Sequence, residues 1–239
     1  MTMHATPEIP IRLFQTQLHD CGYYQGRQAR SLVLDPASPY LGAAYGNAID
    51  HGFRRSSDQI YRPHCPHCDA CTATRIRVAD FRPDRSQRRC LARNADLRVA
   101  AMPARFSEEA FALYARYLDA RHGDGPMANP SAQEFERFLI GGWSRTVFLE
   151  LRRDEELVAV AVTDVLPQGL SAVYTFYAPE QAAHGLGTFA ILQQIALARR
   201  RNLNFVYLGY WLPGHPKMDY KRRFSAMQIL RDGRWQDLH

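Results

Sequence analysis

The sequence predicts an α+β protein, in which a small cysteine- and arginine-rich N-terminal unit precedes a mixed, largely antiparallel sheet with helices packed on it. Three observations carry this. Residues 146–178 hold three apolar, β-branched and aromatic runs, TVFLEL, LVAVAVTDVL and LSAVYTFYA, joined by connections too short for anything but antiparallel pairing. Helix start signals flank them: Ser107 with Glu108 and Glu109, Ser131 with Glu134, and a glycine pair before TFAILQQIALARRR. The segment from Phe53 to Arg93 concentrates Cys65, Cys68, Cys71, His64 and His67 with ten arginines against four aspartates.

A chain of 239 residues suffices for one large or two modest domains, and the boundary is expected near residue 95, giving units 1–95 and 96–239. The formal net charge of +6 equals the excess carried by Phe53 to Arg93 alone. So concentrated a positive field favours a polyanion, nucleic acid first, against the alternative of a solvated basic loop around a structural metal. Among 30 basic residues only Lys217 and Lys221 are lysines, a bias that base composition explains and that suits bidentate contact with phosphate or carboxylate. The start, MTMHATPEIPIRLF, lacks a secretory pattern, and the apolar run Leu157–Val162 is too short to span a bilayer. A soluble, cytoplasmic protein without membrane contact is expected. Five cysteines, three of them clustered, fit reduced thiols or metal ligands better than a disulfide framework.

In chain order, IRLFQTQLH (11–19) reads as a short strand or helix leading to a turn at Cys21–Tyr24. After the breakers Asp35-Pro36 and Ser38-Pro39, the residues Tyr40, Leu41, Ala44, Ala48 and Ile49 predict a short helix that Gly52 ends. The alternation Thr74-Arg75-Ile76-Arg77-Val78 predicts a strand with both arginines on one face, and no strong period follows until Pro103. Then come a helix from Ser107 to about His122, a second from Ser131 to Gly141-Gly142, the three strands, a helix after Gly187 and the strand NFVYLGYW. Two helices, three antiparallel strands, a glycine loop, a helix and a further strand form an order that resembles the GNAT acyltransferase fold.

At Gly185-Leu186-Gly187 a helix N-terminus offers unpaired backbone N–H groups to a phosphate or carbonyl oxygen. Coenzyme-A-dependent members of the GNAT family usually carry Arg or Gln three residues ahead of the first glycine; here the residue is Ala182. The C-x-x-C-x-x-C spacing of Cys65, Cys68 and Cys71 lets the thiolates turn onto one ion, with Cys21, His64 or His67 as a fourth ligand to zinc or an iron-sulfur cluster. The alternative is four reduced cysteines packing a loop-rich core.

The runs GFRRSSDQIYRPHCPHCDACTATRIRVADFRPDRSQRR, VYTFYAPE, GLGTFAILQQI, YLGYW and MDYKRRF resemble those of the bacterial aspartate/glutamate leucyltransferases, relatives of the eukaryotic arginyl-tRNA-protein transferases. The resemblance implies transfer of an aminoacyl group, leucyl first and arginyl as the alternative, from its tRNA to the α-amine of proteins beginning with Asp or Glu, marking them for degradation. No cofactor is needed for that chemistry. Departures from the family pattern stand at Tyr24, where relatives keep a second cysteine after Cys21, at Ala178 and at Gly185. An acidic acceptor calls for cations, and Arg54, Arg55, Arg75, Arg77 and Lys221 are the candidates. For tRNA and its acyl ester the candidates are Arg82, Arg85, Arg88, Arg89, Gly185, Leu186, Gly187, Arg222 and Arg223, with Arg199 to Arg201 beside them. For catalysis they are Asp219 as base and Tyr174 and Tyr210 as orienting phenols, and for metal Cys21, Cys65, Cys68 and Cys71. A coenzyme-A-dependent N-acetyltransferase and a zinc-stabilised RNA-binding module remain the rival classes.

Overall fold

The computed structural model describes residues 10–122 and 129–238; residues 1–9, on which the lack of a secretory pattern rests, lie outside them. The first unit is built on short strands, β1 (Leu13–Gln15), β2 (His19–Asp20), β3 (Gln28–Ala29), β4 (Ser31–Leu34), β5 (Arg54–Ser56) and β6 (Gln59–Pro63), with helix α1 (Leu41–Asp50) between β4 and β5. Strands β1, β4, β6 and β5 pair in that order, and β2 pairs only with β3. Helix α1 buries Leu41, Tyr45 and Ile49 at helical spacing against Phe53, Ile60 and Tyr207, which ties this unit to the next.

The larger sheet takes β7 (Thr72–Arg77) from the first third of the chain. It then uses β8 (Arg98–Pro103), β9 (Thr146–Arg153), β10 (Glu156–Val165), β11 (Gly169–Tyr177), β12 (Phe205–Trp211), β13 (Met227–Arg231) and β14 (Arg234–Asp237). Their order is β14-β13-β7-β12-β11-β10-β9-β8. All neighbours run antiparallel except β11 and β12, joined through helix α5 (Leu186–Arg200), and this single parallel pair after an antiparallel meander is the GNAT-like arrangement. Helix α2 (Arg85–Arg93) and α5 cover one face in a shared core, and α3 (Glu108–His122) with α4 (Ala132–Phe135) and its wider continuation Glu136–Ile140 covers the other.

A domain boundary at residue 95 does not describe this packing. Strand β7 lies between β12 and β13, and α2 packs on α5, so residues 72–93 belong to the larger sheet. The capping box at Ser131 and Glu134 is present as expected, and Asp84 with Gln87 makes a second one at the start of α2. Among the described residues no helix is long and apolar enough to cross a membrane.

Candidate active site

Strands β11 and β12 are in register only from Gly169 to Ser171 against Phe205 to Tyr207, and then they separate. The carbonyls beyond that point need another donor, and β5 supplies it: Arg54 reaches into the gap and its Nη2 donates to Val173 O at 3.2 Å. Gly209 makes the room. Its φ of +71° suits glycine, and a Cβ there would stand 2.8 Å from Arg54 Nη1. The guanidinium also lies 5.9 Å from the Tyr210 ring centroid. Among the described residues Val173 O is its one hydrogen-bond partner, so most of its donors remain for a ligand.

Lys221 stands on the tight turn Asp219–Arg223 that follows β12, close enough to Arg54 to feel its charge. It is 3% exposed and donates to the Tyr210 carbonyl. Burial, and then the nearby positive charge of Arg54, pushes its ammonium down to about 7. An ammonium so depressed gives up its proton more readily than an exposed lysine does. Asp219 goes the opposite way. Its carboxylate accepts from Trp211 Nε1 at 2.9 Å, faces Arg222 at 3.7 Å, and is held below the usual carboxylate range chiefly by the Trp211 bond. A carboxylate so held is a poor proton acceptor, which speaks against Asp219 as the base.

The aromatic candidates separate in the same manner. The Tyr210 hydroxyl is within hydrogen-bond reach of Gly52 O at 2.9 Å and Tyr61 O at 3.1 Å, contacts that anchor the first unit. Tyr174 is half-buried on β11, edge-on to Phe138, Tyr114 and Tyr117, and burial keeps its phenol protonated. It can therefore donate a hydrogen bond but not take a proton.

Three arginines expected to meet an acidic ligand are committed elsewhere. Arg55 is 1% exposed and spends its donors on both oxygens of buried Asp164, at 2.8 and 3.0 Å, and on the carbonyls of Ser57, Phe138 and Leu139. Arg75 does share a strand face with Arg77, but that face is covered: its guanidinium lies between the Phe205 and Trp235 rings and bonds Gln228 and Asp50. Arg77 pairs with Asp80 and Asp237, away from the gap. Neighbours in sequence, Arg54 and Arg55 point to opposite sides of β5, one to the gap and one to the core.

Of the phosphate candidates, Arg82 donates to Ala79 O and Phe81 O, and Arg199 to Val78 O and Phe81 O, so both fix the turn into α2. Arg85, Arg88, Arg89, Arg222 and Arg223 are exposed. Gly185 caps α5 in the left-handed region at φ +71°, Leu186 is wholly buried, and Gly187 is backed by the Tyr177 ring. Only the backbone N–H groups of this loop are offered.

Cys21, Cys65, Cys68 and Cys71 line one pocket with Tyr24 and Arg27, whose Nη1 lies 3.6 Å from Cys68 Sγ. Burial first, then the other three thiols, push Cys71 up to about 12. Four cysteines around one pocket are the donor type that suits zinc or an iron-sulfur cluster. Among the described residues, however, no group of three His, Cys, Asp or Glu side chains already stands ready to hold an ion.

Two family models match: the N terminus of arginine-tRNA-protein transferase over residues 19–89, and its C terminus over residues 109–231. Fold, gap and matched halves together define the class of the protein as an aminoacyltransferase. More particularly, the chain belongs to the arginine-tRNA-protein transferase family. Relatives named aspartate/glutamate leucyltransferase include one from Stenotrophomonas maltophilia, 56% identical over 99% of this chain and 97% of its own. Others come from Xanthomonas axonopodis pv. citri, 56% identical over 100% and 97%, and Xylella fastidiosa, 51% identical over 99% and 95%. Among solved structures, the C-terminal domain of a putative lysylphosphatidylglycerol synthetase from Agrobacterium fabrum aligns with a TM-score of 0.47 and 13% identity, over 73% of this chain and 53% of its own.

Proposed function

We propose that this enzyme transfers leucine from leucyl-tRNA to the α-amine of proteins beginning with Asp or Glu, and thereby marks them for degradation. The observation that carries this reading is the near full-length identity with relatives named for that specificity. An aminoacyl ester is already activated, so the enzyme's task is positioning, proton acceptance and stabilisation of an oxyanion. Arg54 takes the side-chain carboxylate of the acceptor. Lys221, as the neutral amine, accepts the proton that the attacking α-amine must lose. As the new amide C–N bond forms, the ester C–O bond breaks and the proton passes to the departing ribose oxygen. Tyr174 donates to the carbonyl oxygen while it carries negative charge.

The test incubates the protein with charged tRNA pools and peptides beginning Asp, Glu, Ala and Lys, with products weighed by mass spectrometry. Asp and Glu peptides gain a leucyl residue and the others do not; a gain of arginyl would reassign the donor, and equal modification of all four peptides would refute the acidic pocket. In Arg54→Gln, kcat/KM for the Asp peptide falls about 10- to 100-fold, the value of one charge-assisted hydrogen-bonded pair.

The four-cysteine pocket is read as a zinc or iron-sulfur site that holds the segment bearing Cys21 against β6, and no step of the transfer passes through it. Elemental analysis and absorption spectra of the parent and of Cys68→Ser check this: stoichiometric metal in the parent is lost in the variant. A metal-free parent would leave the cysteines as packing residues.

A further inference from the structure

The exposed side of α2 carries an arginine face with no acid to neutralise it. Arg85, Arg88 and Arg89 stand at helical positions i, i+3 and i+4, opposite buried Gln87 and Cys90, and Arg93 extends the row by one turn. Arg88 reaches Pro83 O and Arg93 reaches Ala183 O, each through one nitrogen, which leaves the rest of both guanidiniums outward. Among the described residues, Arg85, Arg88, Arg89, Arg93 and Arg223 make no ion pair. The aspartate within the row, Asp84, accepts from Gln87 N in capping α2.

This face is fixed to the active site at both ends. Gln87 Nε2 donates to Arg223 O at 3.2 Å, Phe81 packs against Phe224, and Arg82 N donates to Ser225 Oγ, so α2 is stitched to the turn that holds Lys221, Arg222 and Arg223. Farther along, Asn94 Nδ2 donates to His184 O at 3.0 Å, beside the entrance of α5. One rigid strip of guanidiniums therefore runs along α2 between the mouth of the gap and the unpaired N–H groups of α5. Like charges on adjacent turns repel, and a helix surface normally intersperses acids to relieve this. A ligand with several closely spaced negative charges, as in a nucleic-acid backbone, relieves it instead.

We infer that the α2 strip, with Arg222 and Arg223, binds the phosphate backbone of the acceptor end of the tRNA and delivers its 3′ terminus to the gap between β11 and β12. This rests on the transferase reading above and adds to it the place and manner of donor binding. Guanidinium-to-phosphate contacts position RNA without reading its bases. The strip is accordingly indifferent to tRNA sequence, and the choice of donor falls to the aminoacyl pocket.

The test measures binding of uncharged tRNA at several salt concentrations by the parent, by Arg85→Glu/Arg89→Glu, and by Arg98→Glu/Arg105→Glu. The last pair makes the same change in net charge at the start and just past the end of β8, the edge strand of the sheet and outside the α2 strip, and both positions are exposed. Glutamate at position 85, the first residue of α2, suits the helix dipole, and position 89 is exposed, so the test variant folds; coincident melting curves check it. The α2 variant binds at least tenfold more weakly, and its slope of log K against log salt falls by about 1.5, two phosphate contacts' worth, while the control pair keeps the parental slope. A second arm supplies leucine on a CCA trinucleotide: transfer from this short ester to an Asp peptide stays at the parental rate in the α2 variant, while transfer from intact leucyl-tRNA drops. Equal losses in the two double variants, or parental tRNA affinity in the α2 variant, overturn the inference. A parent that binds tRNA with a steep salt slope yet transfers nothing from any charged tRNA would instead sink the transferase reading and leave the strip standing.

Discussion

Arg55→Met destabilises the protein by about 3–5 kcal/mol, the cost of leaving one member of a buried ion pair without its partner. Asp164 is buried on β10, and besides Arg55 it receives Thr146 Oγ1 at 2.7 Å and the Tyr45 hydroxyl at 3.1 Å. Two neutral donors cannot hold a carboxylate in that setting as a bidentate guanidinium does. The damage extends to the units' junction, since the same guanidinium caps the Phe138 and Leu139 carbonyls where the helical segment ends. Denaturant unfolding checks this. Arg55→Met/Asp164→Leu, which removes both charges, recovers more than half the loss, and a double-mutant cycle gives the coupling directly. An Arg55→Met protein of parental stability that had lost only the response to acidic acceptors would return Arg55 to the substrate site.

The contrast between Arg54 and Arg55 also marks how far the sequence could be read. Strand alternation says that adjacent residues on β5 face opposite ways, but not which way is inward, because the deciding partners are Asp164 and Val173, more than a hundred residues on. The antiparallel meander, the parallel return through α5 and the capping box at Ser131 were legible because each is set by neighbours in the chain. Strand β7 was legible as a strand but not as a member of the larger sheet, since its pairing with β12 and β13 is entirely non-local. Two misses left local signals. Asp84 and Gln87 form the capping box of α2, and Asp232-Gly233 is a hairpin turn between β13 and β14; β8 left none, since its partner β9 lies beyond α3 and α4. Lys221 was visible only as a cation, because burial is not written in MDYKRRF.

Lys221→Arg distinguishes the two roles that a buried lysine at this site can play. If its charge held the acceptor's carboxylate, arginine would preserve or improve the contact. Arginine cannot give up its proton, so as a proton acceptor it fails, and transfer falls by about 10²- to 10⁴-fold in Lys221→Arg and Lys221→Met alike. In the parent, kcat/KM rises with pH through two limbs, one at about 7 as the Lys221 ammonium is emptied and one near ~8 as the acceptor's own α-amine is, and both variants keep only the second. Stability carries the same signature. With the folded pKa lowered to about 7 and the unfolded one near ~10.4, the unfolded chain binds the extra proton across that interval. The parent therefore gains stability as pH rises from 7 towards 10, and below 7 it bears the full cost of a buried ammonium. Lys221→Met is free of that cost, so its melting temperature at pH 7 is no lower than the parent's even as its activity is lost. Arginine rescue of transfer, or a methionine variant that keeps the limb at about 7, would leave Lys221 as a fixed cation and remove the base from the mechanism.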